Sequence, residues 1–471
     1  MKMLTCSRLN SYFGNPSKWV AKGVILLFVI GNVSAQAQES PTQKQSELIR
    51  PRSERLRSTD LLAQATETEV SSVTEKTGLV STAMQWLRST DRPGDLQFHG
   101  FVSQAYITTS DNDVFGNSDK GGSFGLTEAG FNASVRPLPR LQLSAQVLSR
   151  RAGEGNSGEP RLDYAIFDYQ LYAHEANQFG IRVGRLKNPF GFYNETRDVA
   201  FTRPSILLPQ SIYFDRTRNL GLSSDSVQLY GDTAVVDWGT FSAQFGITLP
   251  VVGDKDTESS LLGDVRKGHL NREISYIGRG IFETNDKRLR LGISGIWLNT
   301  SYDPNNRLND PLGPGALQFT PVIFSAQYNA ERWTLTSEYA IRPFDYNNGF
   351  RTPPAPRGLN GIDIVGESYY FQGEYRFTPK WEGIVRYDAL FTDRSDRDGS
   401  EFAKISGGIS HTRFAKDITV GLRWNVTPAF MLRAEYHYVN GTAWLSRLDN
   451  PSPLDTEQHW HLYGILGSYR F

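Results

Sequence analysis

Residues 461–471 read HLYGILGSYRF, and this segment gives the clearest indication of the fold class. Counting back from Phe471 to Tyr463, every second residue is apolar or aromatic, whereas three of the four residues between them are small or polar, the exception being Leu466. Because strand side chains alternate between two faces, the segment predicts a strand with one apolar face and one more polar face. An edge strand of a soluble sheet has the same pattern, so the interpretation depends on the rest of the chain.

The N-terminus has the order of features that is typical of a secretory signal. Lys18 and Lys22 precede an apolar run at residues 24–30, which is too short to span a bilayer as a helix. Small residues then offer a cleavage site after Ala35 or Ala37. We therefore predict a signal peptide at residues 1–37, with a cytosolic N-terminal extension as the alternative.

Cleavage would change the composition of the mature chain. It removes Cys6, which is the only cysteine, together with four basic residues and no acidic residue. The remaining 46 basic and 50 acidic residues give a net charge of −4, and this balance argues against nucleic acid as a partner. An exported chain without cysteine uses neither disulfides nor thiol chemistry.

Residues 38–94 differ from the rest of the chain because they are rich in Glu, Gln, Ser, Thr and Arg. Val73, Val80 and Leu87 recur at seven-residue intervals, which predicts a short coiled coil or helix in a periplasmic leader. Two heptads are few, and a largely disordered leader fits equally well.

Sixteen candidate strands follow from residue 95 onward. They lie at 96–108, 123–136, 141–151, 161–172, 178–187, 224–231, 235–248, 272–284, 287–300, 317–329, 331–342, 366–377, 381–391, 416–427, 431–440 and 460–471. Tight turns, such as 231–234 and 378–380, alternate with long polar loops, such as 188–223 and 392–415. Such long loops are uncommon in compact soluble domains, whereas this alternation is the layout of outer-membrane barrels.

The two faces of each strand favour lipid outside and water inside. In 416–427, Ile418, Val420 and Leu422 share one face, and Thr419 and Arg423 share the other. Five aromatic residues fall at strand ends beside short turns, where a periplasmic girdle would lie: Trp333, Trp381, Trp424, Tyr469 and Phe471. We therefore predict an all-β protein, a 16-stranded antiparallel transmembrane β-barrel at residues 95–471 behind a short N-terminal periplasmic leader.

Two segments of the chain partly resemble known catalytic or metal-binding motifs, but neither matches its motif. The segment 292–295 lacks the spacing of a nucleophile elbow. The segment 393–399 resembles a calcium loop, but Arg394 and Ile405 occupy positions that should be acidic. We predict no enzyme activity, no catalytic residue, no cofactor and no metal site.

The connection 188–223 is the longest between candidate strands, and it mixes ten large apolar residues with charges. Such a loop should pack against the inner wall of the barrel rather than float in water. We predict that it forms a pore constriction with these charged residues: Glu195, Arg197, Asp198, Arg203, Asp215, Arg216 and Arg218. An extracellular cap and a latch between trimer subunits are the alternatives.

The segment 184–191, GRLKNPFG, the long loop after it and the terminal Tyr469 to Phe471 carry a resemblance to a known group. With these features, residues 96–471 resemble the bacterial porins that include the phosphate-selective porins O and P. The resemblance implies a trimeric, water-filled channel. The resemblance does not extend to the row of basic side chains along the pore that gives these porins their phosphate selectivity. In this chain the predicted inward-facing acidic and basic residues are balanced.

The alternation of the strands also predicts which charges line the pore wall: Arg150, Asp168, Arg182, Glu338, Arg376, Arg386, Arg423 and Arg433. We predict an outer-membrane porin that allows passive diffusion of small hydrophilic solutes or ions with weak charge selectivity. Its expected partners are outer-membrane lipid, lipopolysaccharide and two further copies in a homotrimer. A non-channel outer-membrane barrel, acting as an adhesin or scaffold, is the alternative.

Overall fold

The computed structural model describes residue 94 and residues 96–174, 177–235, 237–263, 268–305, 314–347 and 362–471. The signal peptide predicted at 1–37 and the leader predicted at 38–94 lie outside this range, apart from Gly94. Within the described range, no helix is both long and apolar enough to cross a membrane.

Nineteen β-segments make up a single sheet. Their bounds are β1 Leu96–Thr109, β2 Ser123–Leu138, β3 Leu141–Ala152, β4 Asn156–Ser157, β5 Arg161–His174, β6 Asn177–Lys187, β7 Ser223–Val235, β8 Gly239–Pro250, β9 His269–Arg272, β10 Ser275–Thr284, β11 Leu289–Asp303, β12 Gly315–Phe319, β13 Val322–Asn329, β14 Trp333–Asn347, β15 Ile362–Arg376, β16 Trp381–Phe391, β17 Phe414–Asn425, β18 Phe430–Gly441 and β19 His459–Arg470. The segment β4 is a single pair with β3, whereas β9 and β12 continue β10 and β13 beyond short breaks. The other sixteen follow one another around a barrel.

The sheet closes on itself through β1. This strand pairs antiparallel with β2 on one side and with β19 on the other, so Val102 lies opposite both Ala129 and Tyr469. Closure satisfies the backbone groups that an open sheet edge would leave unpaired. The predicted fold class, a closed 16-stranded antiparallel β-barrel, is confirmed.

The outer surface is apolar and the inner surface is polar. On β17, Ile418 and Val420 are 46% and 47% exposed, whereas their neighbours Asp417 and Thr419 are buried inside the barrel. At the short-turn end, the outward rings of Trp381 and Trp424 stack with centroids 5.2 Å apart. The alternation read from the sequence therefore separates an outward apolar band from an inward polar face.

Two predicted strands are interrupted. The strand expected at 317–329 is split into β12 and β13 by Pro321, which lacks a backbone N–H and restricts the preceding Thr320. The strand expected at 272–284 is β10 from Ser275 onward, and a break at residues 273–274 separates it from β9, which pairs with β11 as β10 does. A continuous strand was the wrong prediction at both places.

The turn predicted at 231–234 is also wrong. β7 continues to Val235, so Asp232 and Thr233 pair with Ser242 and Phe241 of β8. The chain reverses farther on, where Asp237 has a φ of 64° and Trp238 N–H donates to the carbonyl of Val235. Gly231 therefore lies within strand β7 and is not part of the turn.

Three short α-helices lie in the long loops: α1 Arg218–Leu222, α2 Lys255–Leu262 and α3 Ser400–Ser406. Single 3-10 turns occupy Ala200–Thr202, Ser410–Arg413 and Pro453–Asp455. The third long connection, residues 188–222, is called L3 below, and the last, residues 442–458, is called L8. Buried side chains of both loops share one apolar cluster, which includes Phe201 and Leu207 of L3 and Trp444 of L8, so long loops fold inward to meet each other.

Candidate functional site: the loop inside the barrel

Two glycines with positive φ lie where the chain enters L3, Gly184 near the end of β6 and Gly191 inside the loop. Gly184 has a φ of +127°, and a Cβ atom there would lie 2.1 Å from the carbonyl oxygen of Ala165. Gly191 has a φ of +62°, and its Cβ atom would lie 2.3 Å from the hydroxyl of Tyr213. Both belong to the GRLKNPFG segment, so this motif sets the path of the chain as it leaves the wall.

Glu338 of β14 anchors the first part of L3. Its side chain is fully buried and accepts hydrogen bonds from the Phe192 N–H at 2.9 Å and from the Tyr213 hydroxyl at 2.6 Å. The hydroxyls of Ser325 and Tyr370 on the wall also donate to it, at 2.6 and 3.0 Å. One inward carboxylate therefore ties two parts of the loop to two strands of the wall.

A second anchor lies across the lumen, where the wall binds the loop backbone at 203–207. Glu435 of β18 accepts hydrogen bonds from the N–H groups of Ile206 and Leu207, at 2.5 and 3.4 Å. Arg386 of β16 donates to the Leu207 carbonyl at 3.0 Å, and Arg433 of β18 donates to the Arg203 carbonyl at 2.9 Å. These wall charges therefore contact the loop backbone rather than open solvent.

A buried ion-pair cluster forms the third anchor. Glu128 of β2 binds the Arg150 guanidinium of β3 at 3.0 Å and the Arg203 guanidinium of L3 at 2.8 Å. Arg150 also reaches Asp215 of L3 at 2.6 Å. Removing the acidic or the basic side chain of such a buried ion pair would leave an uncompensated charge in a low-dielectric site. These ion pairs therefore hold L3 against the wall.

The cluster continues at the entrance of the loop. Lys187, the last residue of β6, binds Asp163 of β5 at 2.5 Å and also pairs with Asp198 of L3. Asp198 in turn pairs with Arg218 at the start of α1. The two ends of L3 are thus connected through one carboxylate.

The remaining charges predicted in L3 are also partnered or enclosed. Glu195 pairs with Arg279 of β10 at 2.6 Å. Arg197 is buried, donates to the Tyr213 carbonyl at 3.0 Å and lies 3.9 Å from Asp215. Burial lowers the pKa of Arg197 to about 10, against the opposing effect of Asp215, and burial also lowers the pKa of Arg216 to about 10. Both arginines stay protonated at neutral pH.

The predicted wall residues differ in what they contact. Arg150, Glu338, Arg386 and Arg433 contact L3, as described above. Asp168 and Arg182 instead pair with each other at 3.1 Å beside Tyr230.

The two other predicted wall residues lie toward the short-turn end. The Arg423 guanidinium lies 5.9 Å from the Phe201 ring of L3, whereas Arg376 is exposed at the end of β15.

Asp163 and Lys187 are functional candidates that alternation did not identify. Asp163 falls where the pairing of β3 with β5 shifts by one residue, between Leu162 opposite Val147 and Tyr164 opposite Gln146. The extra residue at this bulge faces inward although its position parity is opposite to that of Asp168. Lys187 lies within the GRLKNPFG segment, which was the available sequence signal for it.

No family model matches the chain, and no curated protein matches it. Solved structures do. The outer membrane channel DcaP of Acinetobacter baumannii has 11% identity and a TM-score of 0.52, covering 82% of this chain and 99% of its own. The anion-selective porin from Comamonas acidovorans has 11% identity and a TM-score of 0.51, covering 80% and 100%.

At this level of identity the likeness concerns the fold. The chain has the fold of the outer-membrane porins, with sixteen antiparallel strands and long inward loops. Together with the outward apolar band, this fold places the protein in a bacterial outer membrane.

Proposed function

We propose that the protein is a passive diffusion channel for small hydrophilic solutes, with L3 as its constriction. The observation that carries this proposal is the inward fold of L3, which is held on three sides of the wall by Glu128, Glu338 and Glu435. A sixteen-stranded barrel encloses more space than its own side chains fill, and the loop narrows that space. Polar inward residues near the short turns, such as Asn132 and Glu382, keep part of their surface exposed.

Planar bilayer recordings test this function. Purified, folded protein should insert with stepwise, ohmic increases in conductance. Deleting residues 199–214 should raise the size of each step, because it removes the part of L3 that crosses the lumen. Deleting α3, which has no buried residue, is the matched control and should leave the step unchanged. Electrically silent insertion of folded protein would reject the channel and favour the adhesin or scaffold.

Charge selectivity should be weak and slightly anionic. L3 contains four arginines against three acids, but Glu195, Asp198 and Asp215 are all in ion pairs, so little net charge remains to act on a passing ion. The reversal potential in a KCl gradient measures this preference, and salt should screen it. A strongly cation-selective reversal potential would contradict the expected sign.

Assembly, membrane partners and processing complete the proposal. We expect a homotrimer in contact with outer-membrane lipid and lipopolysaccharide, a cleaved signal at 1–37, and a periplasmic leader at 38–94. Membership of the porin O and P group belongs to the same proposal and rests on the GRLKNPFG segment and the loop after it. Native mass spectrometry of the protein extracted from membranes measures the number of subunits, the bound lipid and the mature N-terminus. A monomeric mass would contradict the proposed homotrimer.

A further inference from the structure

A buried histidine of the wall, His437 on β18, lies beside the second anchor of L3. Its side chain is 1% exposed. Thr419 of β17 is its direct partner across the two strands, and Glu435, two residues before it on β18, shares its inward face. Glu435 is the carboxylate that accepts hydrogen bonds from the N–H groups of Ile206 and Leu207. His437 is therefore placed to act on L3 through Glu435.

Both ring nitrogens of His437 face carboxylate oxygens. Nδ1 lies 2.8 Å from an oxygen of Asp417, and Nε2 lies 3.5 Å from an oxygen of Glu435, a contact that is an ion pair rather than a well-formed hydrogen bond. A neutral imidazole carries a single N–H, so one of its nitrogens would direct a lone pair at a carboxylate, whereas the protonated ring presents an N–H to each. These contacts are therefore those of an imidazolium held between two carboxylates.

The charged groups around this ring balance when the ring carries a proton. On the neighbouring inward positions of β16, β17 and β18 lie three carboxylates and two guanidinium groups, each at most 5% exposed: Asp388, Asp417, Glu435, Arg386 and Arg433. On the loop side, Arg203 is bound to Glu128, and β19 places Leu462 opposite His437. One negative charge is thus left over, and an imidazolium at His437 compensates it.

Loss of that proton would remove the cation next to Glu435. The lone pair of Nε2 would then face the carboxylate at the same 3.5 Å. A buried charge without compensation is costly, so Glu435 should move away and release the N–H groups of Ile206 and Leu207. The second anchor would then depend on Arg386 and Arg433, which bind carbonyls of the loop.

We propose that His437 is a positioning residue of the constriction, and that one proton on its ring holds L3 against the wall through Glu435. Because the ring is buried, it acts on the loop and not on a passing solute. Alkaline solution, which removes the proton, widens the passage. The effect on ion current rests on the proposed channel function, whereas the attachment of the loop is a property of the folded barrel.

The size of the conductance step as a function of pH tests this role, in about 1 M KCl to screen surface charges. In the parent, the step should increase in one titration between about pH 6 and about pH 10. His437→Gln carries no charge, so its step should be larger than the parent's at neutral pH and should lack this titration. His437→Lys keeps a positive charge and should show the small step throughout. His461→Gln, on the outer face of β19, is the matched control and should titrate as the parent does.

Hydrogen exchange at neutral pH measures the attachment without any current. In folded protein, the amides of Ile206 and Leu207 should exchange at least about tenfold faster in His437→Gln than in the parent, and His437→Lys should restore slow exchange. Rescue by a side chain of different shape and the same charge separates this role from simple packing. Heat-modifiable gel migration verifies folding, and the pH profile of the parent needs no variant at all.

Three results would overturn the inference. The first is a step size in the parent that does not change over this pH range. The second is a titration that persists unchanged in His437→Gln, and the third is equal exchange of the Ile206 and Leu207 amides in the parent and in His437→Gln. Folded protein that inserts without any current rejects the channel, and the exchange measurement then decides the role of His437 by itself.

Discussion

Glu338 shows how one inward carboxylate positions a whole loop. It gathers one backbone N–H and three hydroxyl donors in a site without solvent access. Each buried donor left without a partner costs about 1–3 kcal/mol, and several of these donors belong to or support L3. Loss of this side chain would therefore leave buried donors of L3 and of the wall without an acceptor.

Replacing Glu338 with Ala should release the start of L3 without unfolding the barrel. We expect trypsin to cut folded Glu338→Ala within L3, at sites such as Arg197 or Arg216, at least about tenfold faster than it cuts the parent. Mass spectrometry of the fragments from heat-modifiable protein measures this rate. Glu382→Ala, at a partly exposed inward carboxylate nearer the short turns, is the control. Equal cleavage in both variants would mean that Glu338 does not secure the loop.

The alternation of polarity predicts some of the inward charged residues and misses others. Alternation predicts Glu338, Arg386 and Arg433 on the inner face, because lipid and lumen impose a period of two, and all three side chains contact L3. It missed Asp163, because a one-residue bulge reverses parity locally and leaves no mark in the polarity pattern. Which inward charges meet L3 depends on contacts between distant strands, and no single strand encodes them.

Among the elements, α2 and L8 meet at a contact that responds to pH. The Ser446 hydroxyl of L8 donates to Asp256 of α2 at 2.6 Å. Burial, with the nearby carboxylates Asp254 and Asp449, raises the pKa of Asp256 to about 7, although Ser446 and Arg216 act in the opposite direction. The folded protein thus binds this proton more tightly than the unfolded chain, in which the pKa is near the ordinary 3.8.

The sign of the pH effect follows from this raised pKa. Stability from Asp256 is greatest at low pH, falls as the pH rises from about 4 to about 7, and is lost above that value. The amides of α2 should therefore exchange with deuterium faster at pH 8 than at pH 5, after correction for the intrinsic rate. Asp256→Asn should remove the difference, and Asp286→Asn, in an exposed turn, should keep it. An unchanged difference in Asp256→Asn would assign the effect to another group.

The strands were predictable as elements because each one separates lipid from the lumen along its whole length. β16 was predicted with the bounds that it has, at 381–391. The interruptions near Pro321 and before Ser275 were not predicted. β9 pairs with β11, as β10 does, and β12 pairs with β11 and β14, as β13 does, so each interruption is a local loss of ladder hydrogen bonds within one strand path.

At the scale of the whole molecule, the barrel should fold without the leader. All sixteen barrel strands lie within residues 96–470, and the closing contact joins β1 to β19. A chain of residues 95–471 should refold in detergent as fully as one of residues 38–471, with heat-modifiable gel migration as the measurement. Failure of the shorter chain alone would make the leader part of the folding unit.

The three attachment points of L3 have a mechanical meaning as well. A cylinder whose wall is a single sheet flattens easily when the surrounding bilayer presses on it unevenly. L3 connects three distant strands of this wall, because it binds Glu128 on β2, Glu338 on β14 and Glu435 on β18. A change in the cross-section would strain these buried ion pairs and hydrogen bonds, so we expect L3 to hold the shape of the barrel.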